Sequence, residues 1–303
     1  MEGPTPVSSL LHAATMVTAG VFLILRSSLF FEYCSHMLNL LCIFGSITAL
    51  FSGLVASFQN DLKRIIAYST CSQLGYMFLS CGLSNYHVAF FHLFTHAFFK
   101  ALLFLSAGAL IHSLFDEQDL RKIGSLHGQF PLLYVAFMIG SLAILGFPFL
   151  SGFYSKEMIL ELIFSRYIFS GVYLYTLALL AAVCTAIYSA KVLYYVFFSP
   201  QNVYHRILTQ LVNTKAEHFD KMSISMSFLC FMSILSGYLF SDLFLGIGTS
   251  FFNNSITVFI DHFFFLGSEM VPASVKNLPL SISLVAIYFI YYLLKYNSFF
   301  FNK

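Results

Sequence analysis

Residues 85–113 read NYHVAFFHLFTHAFFKALLFLSAGALIHS. Asn85 to Ser113 is long and apolar enough to cross a membrane as one helix. Its middle carries three ionisable groups at intervals of four: His92, His96 and Lys100. A step of four residues turns a helix by roughly 400°, so the three lie on nearly one face, with His92 and Lys100 about 12 Å apart along the axis. Ionisable groups aligned through a lipid-spanning segment are costly and mark paths for protons or ions.

Composition extends this reading to the whole chain. The 303 residues are 59% hydrophobic and 9% charged, with mean hydropathy +0.83; a soluble domain carries about 25% charged residues. The fold class expected is an all-α polytopic membrane protein, with about seven or eight spans of ~20 residues joined by short loops. A net charge of +2 with no basic patch gives no reason to expect nucleic acid as a partner. The six cysteines (34, 42, 71, 81, 184 and 230) are scattered through apolar segments and read as small buried hydrophobes rather than disulfides or metal ligands. Phe is abundant (38), Tyr numbers 18 and Trp is absent, so interfacial aromatic belts must be Tyr and Phe. Such a bias follows from an AT-rich genome, for example that of an organelle. No targeting leader is expected at the start, which reads like the interior of a protein.

Taken in order, Pro4 and Pro6 suit a helix start, and a first span runs from Val7 to Leu25 with His12, Thr15 and Thr18 in it. A second, Cys34 to Ser57, is apolar with small residues (Gly45, Ser46, Gly53) that permit close helix approach. In FQNDLKRIIAYSTCSQLGYMFLSCGL, Asn60-Asp61 offers an N-cap. Lys63 and Arg64 follow in the first turn, where the helix dipole disfavours them. Arg64 reads as a snorkelling side chain and Lys63 as a functional one; Ser69, Thr70, Ser72 and Gln73 are groups able to hold water inside the span. Phe115 to Gln129 reads as a solvated charged connection, or a short amphipathic helix on the surface. The segment from Pro131 contains Gly146, Pro148 and Gly152, which predict two half-helices joined by an unwound stretch, a device tolerated only where protein or water satisfies the backbone. Lys156 and Glu157 follow the break. Lys191 lies well inside a span from Gly171 to Phe198; Pro200 to Lys221 is a polar loop. Further spans are expected at Met222 to Gly246 and Leu278 to Tyr296. Phe251 to Leu266, with Asn253, Asn254, Asp261 and His262, is too polar for a span and is expected along the interface.

Three chemistries compete for the central groups. Haem ligation requires histidines on facing helices, whereas His92 and His96 share one face. A metal site from H-x-x-x-H lacks a carboxylate or cysteine on that face. Proton transfer fits best: buried lysines and histidines on several helices, bridged by hydroxyls and water, form a relay. With no nucleotide, flavin or phosphate-binding motif, the chain is expected to bind no cofactor and no metal and to perform no redox chemistry itself.

The runs GPTPVSSLLHAATMVTAGVFLILR, DLKRIIAYSTCSQLGYMFLSCGL, FFHLFTHAFFKALLFLSAGALIH and GFPFLSGFYSKEMIL resemble the antiporter-like subunits of respiratory complex I. Their superfamily also contains subunits of multisubunit sodium/proton antiporters. The likeness is strong over residues 1–160 and looser beyond. It implies an antiporter-like helix bundle with one discontinuous transmembrane helix. Residues 1–199 would form the second half-channel module with its preceding helix, and residues 200–303 the C-terminal helices and loops. It implies a relay in which Lys100 is the central lysine flanked by His92 and His96. Lys63 would relay charge toward it, His12 would link the two half-channels, and Lys156 would release protons. Glu157 stands where the family often has Asp, Met158 where it often has Glu, and Lys191 where it often has Arg, leaving Lys191 a structural or minor role. A first antiporter half and a long lateral helix have no counterpart here, so the chain is expected to be the middle-to-late piece of the family protein, encoded as a split gene or cut from a longer chain, with gene fission preferred. The partners implied are lipids, other complex I membrane-arm subunits and a separate polypeptide supplying the first half. NADH, flavin, iron–sulfur clusters and ubiquinone would be bound elsewhere in the complex. The location implied is the mitochondrial inner membrane. The other reading is a subunit of a sodium/proton antiporter.

Overall fold

A computed structural model describes residues 7–166, 169–200, 221–246, 249, 251–252, 255–259 and 265–301, with side chains at all of these except 12–14, 169–170, 221, 265–266 and 297–301. Helices dominate, and no β-strand occurs among the described residues. A π-helical stretch at Ser8–Thr15 leads into α1 (Thr18–Arg26). There follow α2 (Ser35–Phe58), α3 (Leu62–Gly82), α4 (Tyr86–Ser113), α5 (Pro131–Leu145), α6 (Ser151–Ser165), α7 (Phe169–Leu193), α8 (Lys221–Leu245) and α9 (Leu278–Phe301). Among the described residues five helical segments are long and apolar enough to span a membrane: Ser35–Phe58, Tyr86–Ser113, Gly171–Phe198, Met222–Leu245 and Ala273–Tyr296.

Helix α3 is not among those five, because Lys63, Arg64, Gln73 and its hydroxyls lower its hydropathy. It is nevertheless the most enclosed part of the bundle: Lys63, Ser69, Thr70, Ser72 and Gln73 are all buried. Neighbouring helices cover most of it, leaving Arg64, Tyr68 and Cys71 exposed along one stripe. Its contact with α2 is made by small residues. A Cβ on Gly75 would stand 2.6 Å from the Ala49 amide nitrogen, and one on Gly45 would stand 2.7 Å from that of Leu79. The two backbones touch, and the dispersion energy of that contact replaces the hydrophobic force that lipid cannot supply. Ser72 seals the seam by donating to the Ala49 carbonyl at 3.0 Å. Ser72 and Thr70 therefore serve packing and their own helix, and Ser69 and Gln73 are the polar pair left facing the interior.

Three sequence expectations change. Asp61 occupies the N-cap position of α3, but its side chain makes no capping bond; it pairs instead with the exposed Arg64 at 3.1 Å, which removes the dipole conflict of that arginine at the surface. The charged loop after α4 is only partly solvated. It folds back over the bundle, burying Leu120, Ile123 and Leu126 completely, while Leu62 and Leu120 bond to Gln118 and Asn60 across the α2–α3 connection. Its outer rim holds two ion pairs, Arg121–Asp119 and Lys122–Glu117; the hydrogen bonds from these cations draw both carboxyl groups below their ordinary range. Finally, Cys34 and Cys71 are exposed rather than buried.

The break foreseen at Gly146 is present. Helix α5 ends at Gly146 with φ 84°, and the chain turns through Phe149 with φ 69° before α6 begins. The positive φ suits glycine, which carries no Cβ to clash. The half-helices then cross so closely that a Cβ on Gly152 would lie 1.8 Å from the Ala143 carbonyl oxygen. From the stretch 251–266, described residues pack without forming a span: the Phe259 amide donates to Glu32 and that of Thr257 to Ser28. Asn253, Asn254, Asp261, His262 and residues 201–220 lie outside the described residues.

Candidate proton-relay site

The site lies where α4 meets α3 and the broken pair α5–α6, with α7 closing the far side. His92, His96, Lys100 and Lys156 are each at most 2% exposed, and Lys63 is 5% exposed. Four ionisable side chains that deep in one bundle are tolerated only when polar partners replace water.

Lys100 reaches α3. Its ammonium group donates to Ser69 Oγ in a short contact and approaches the Ile66 carbonyl at 3.5 Å. His92 sits between two elements. One ring nitrogen lies 2.9 Å from Ser155 Oγ on α6, and the other 3.2 Å from Gln73 Oε1 on α3. Ser155 in turn meets Thr95 Oγ1 at 3.0 Å, one turn along α4 from His92. The helical spacing seen in the sequence therefore acts twice. Ser69 and Gln73, four apart on α3, receive Lys100 and His92, eight apart on α4. His96 lies between them, fully buried, with neither ring nitrogen hydrogen-bonded. Its ring packs edge-on to Phe99 at 5.3 Å and stands 6.2 Å from the His92 ring. The direct line down α4 is thus interrupted at its middle member.

Lys156 closes the break in the α5–α6 segment. A helix end leaves carbonyls without intrahelical partners, and these carry the negative end of the helix dipole. Lys156 Nζ donates to two of them, Ile144 O at 3.3 Å and Leu145 O at 3.4 Å, and to Thr185 Oγ1 of α7 at 3.1 Å. The same ammonium lies 5.5 Å from the centroid of the Tyr76 ring, whose hydroxyl donates to the Ala178 carbonyl at 2.7 Å. The broken helix and its lysine are one device: the break frees the carbonyls and the lysine satisfies them. Glu157, next in sequence, is half-buried.

Lys191 belongs elsewhere. Its Nζ donates to Ser57 O at 3.1 Å, Gln59 O at 2.6 Å and Asn60 Oδ1 at 3.1 Å. It caps the C-terminus of α2, a structural role of the kind its position suggested. Lys191→Met should lower the melting temperature of the detergent-solubilised protein by the equivalent of about 1–2 kcal/mol in a fluorescence melt. An unchanged melt would remove that role.

Lys63 is buried in the first turn of α3, close to the surface loop. The backbone at His12 is part of the π-helical stretch, while its side chain lies outside the described residues. Neither Ser155 nor Thr185 stood out in the sequence. A lone hydroxyl in an apolar helix carries no signal until the facing helix is known, although Ser155 directly precedes Lys156.

Comparison with known proteins gives one consistent set of relatives. The family described as NADH:quinone oxidoreductase/Mrp antiporter, transmembrane region, matches residues 1–188. The chain is 51% identical over 289 residues to NADH-ubiquinone oxidoreductase chain 5 of Acanthamoeba castellanii, covering 95% of this chain and 42% of that one. It is 48% identical to chain 5 of Phytophthora infestans, covering 97% and 44%. The chain thus spans about two fifths of the length of these curated relatives. Among solved structures it superposes on a chain of the Mrp complex from Dietzia sp. DQ12-45-1b with TM-score 0.76 and 25% identity, covering 99% of this chain and 32% of that one.

Proposed function

The chain belongs to the NADH:quinone oxidoreductase/Mrp antiporter transmembrane family, and from that premise we propose that it is a proton-translocating piece of the membrane arm of respiratory complex I. NADH:ubiquinone oxidoreduction, carried out by other subunits, would drive proton transfer along its lysines, histidines and intervening water. The observation that carries this reading is the setting of Lys100 and Lys156. Both are enclosed in the bundle, and among the described residues each is held by hydroxyls and carbonyls with no carboxylate at salt-bridge distance, Glu157 acting on Lys156 only through space. No ion pair locks their charge, so each can exist as ammonium or amine, as a relay requires.

In this proposal Lys63 passes charge toward Lys100, His92 lies on the polar axis, Lys156 is the exit group, and His12 and His96 complete the set of relay candidates. Residues 1–199 form the half-channel module and residues 200–303 its C-terminal helices. A separate polypeptide supplies the first antiporter half, and the flavin, iron–sulfur clusters, NADH and ubiquinone belong to other parts of the complex. The setting is the mitochondrial inner membrane, among lipids and the other membrane-arm subunits. The identities of 48–51% to chain 5 of complex I, against 25% to the antiporter structure, favour this over a sodium/proton antiporter subunit.

Affinity purification of the tagged chain from mild detergent separates the two. NADH-oxidising subunits should co-purify in a fixed ratio. Recovery with antiporter subunits alone would establish the second reading. Lys156→Ala in the same preparation should lower protons moved per NADH oxidised; an unchanged ratio would show the groups to be vestigial.

A further inference from the structure

His96 has no hydrogen-bond partner among the described residues, so a hydrogen-bonded connection between Lys100 and His92 has to use other groups. The connection available runs over the facing helices. Lys100 ends on Ser69 and His92 ends on Gln73, and these two α3 residues are one helical turn apart. Tyr188 enters from α7 at this level. It is 3% exposed, and among the described residues its hydroxyl and the buried Gln73 Nε2 reach no partner within full hydrogen-bond geometry. The Tyr188 hydroxyl lies within electrostatic reach of both Gln73 and Ser69, and of Tyr76, whose ring faces Lys156. A cavity of about 20 Å³ adjoins it, lined in part by Ser69, Ser141, Tyr188 and Ser189. That space, about one water in size, gives the hydroxyl room to turn.

We propose that Tyr188 is a further positioning residue of the relay, its hydroxyl joining Ser69 to Gln73 so that the states of Lys100 and His92 are coupled across α3 and α7 rather than through His96. The inference rests on the proton-relay reading above. Polarity is consistent along the chain. His92 Nε2–H donates to Gln73 Oε1, the Gln73 amide N–H donates to Tyr188, and the Tyr188 O–H donates to Ser69 Oγ, which also accepts from Lys100. When Lys100 gives up its proton, its amine accepts from the Ser69 O–H, and Ser69 turns away from the Ile66 carbonyl to which it donates at 2.7 Å. Tyr188 follows Ser69, and Gln73 carries that reorientation to the His92 ring. No proton need pass through the amide and no bond in the chain from Ser69 to His92 reverses its sense; what travels is the shift in position and polarisation of the linked groups.

The test uses the assembled complex in proteoliposomes. Tyr188→Phe keeps the ring and removes the oxygen. It should cut protons translocated per NADH by threefold or more at normal assembly and normal melting temperature. Gln73→Leu should do the same, and the double variant should be no worse than either alone, as expected for members of one connection. Full pumping by Tyr188→Phe, in a series where Lys100→Ala has lost it, overturns the role of Tyr188 and leaves the relay reading standing. Additive losses in the double variant, or a lower melting temperature with unchanged stoichiometry, also overturn it by showing a packing role. If Lys100→Ala itself pumps normally, the relay reading fails first.

Discussion

Lys100→Ala in an otherwise intact complex is expected to slow proton transfer through this module by about tenfold or more, which corresponds to at least ~1.4 kcal/mol on the limiting transfer step. The reason is chemical as well as structural. Lys100 presents the titratable group nearest Ser69, and alanine leaves both Ser69 and the Ile66 carbonyl facing an apolar void. Two further substitutions separate these causes. Lys100→Met fills most of the volume and restores packing, yet has no proton to exchange, so it should pump as poorly as alanine. Lys100→Arg keeps a cation but cannot deprotonate in a protein, so it too should fail. Proton uptake is read with a pH-sensitive dye inside vesicles while NADH oxidation is followed by absorbance. Normal pumping by the methionine variant would show that Lys100 only fills space and would end the relay assignment.

Gly152→Ala is expected to be the most damaging change to the fold for its size. The added methyl would fall 1.8 Å from the Ala143 carbonyl oxygen, a backbone atom that can retreat only if α5 and α6 move apart. Such a separation takes Ile144 O and Leu145 O away from Lys156, so the lysine loses two of its three hydrogen-bonding partners together with the packing. A cost on the order of 3 kcal/mol or more follows, because overpacking and a broken buried polar network add. Gly146→Ala provides the comparison. It strains a residue at φ 84° but meets no atom closer than 3.7 Å, and should cost about 1 kcal/mol. Thermal melts of the solubilised complex and its steady-state level in the membrane measure both. Equal tolerance of the two variants would mean that the half-helices do not cross as closely as described.

These two sites differ in how far the chain alone reveals them. The membrane character, the lysine and histidines at intervals of four, and the helix break at Gly146 to Gly152 are legible from residues 85–165. They depend on composition, helical period and the backbone chemistry of glycine and proline, all of which act locally. The identity of each charged group's partner is not local. Lys100 meets Ser69 at a separation of 31 residues, His92 meets Ser155 at 63, and Lys191 meets Gln59 at 132. Those pairings depend on how the helices are rotated and how deeply they approach, which the glycines of α2, α3 and α6 control through contacts a single helix cannot show.

The charged loop after α4 teaches the same point. Asp119, Arg121 and Lys122 announce solvent, and they do face it, but Leu120, Ile123 and Leu126 among them are enclosed by the bundle. Helix α3 gives the opposite case: too polar by composition for a lipid-facing span, it lies at the centre because other helices take its place against lipid. His92, His96 and Lys100 stand out in the sequence as three equal members of one face. Tertiary packing separates them, giving Ser155 and Gln73 to His92, Ser69 to Lys100 and, among the described residues, no hydrogen-bond partner to His96, whose ring lies against Phe99. Amino-acid order places a side chain on a face of its own helix; which dipoles meet it there depends on the surface of the next one.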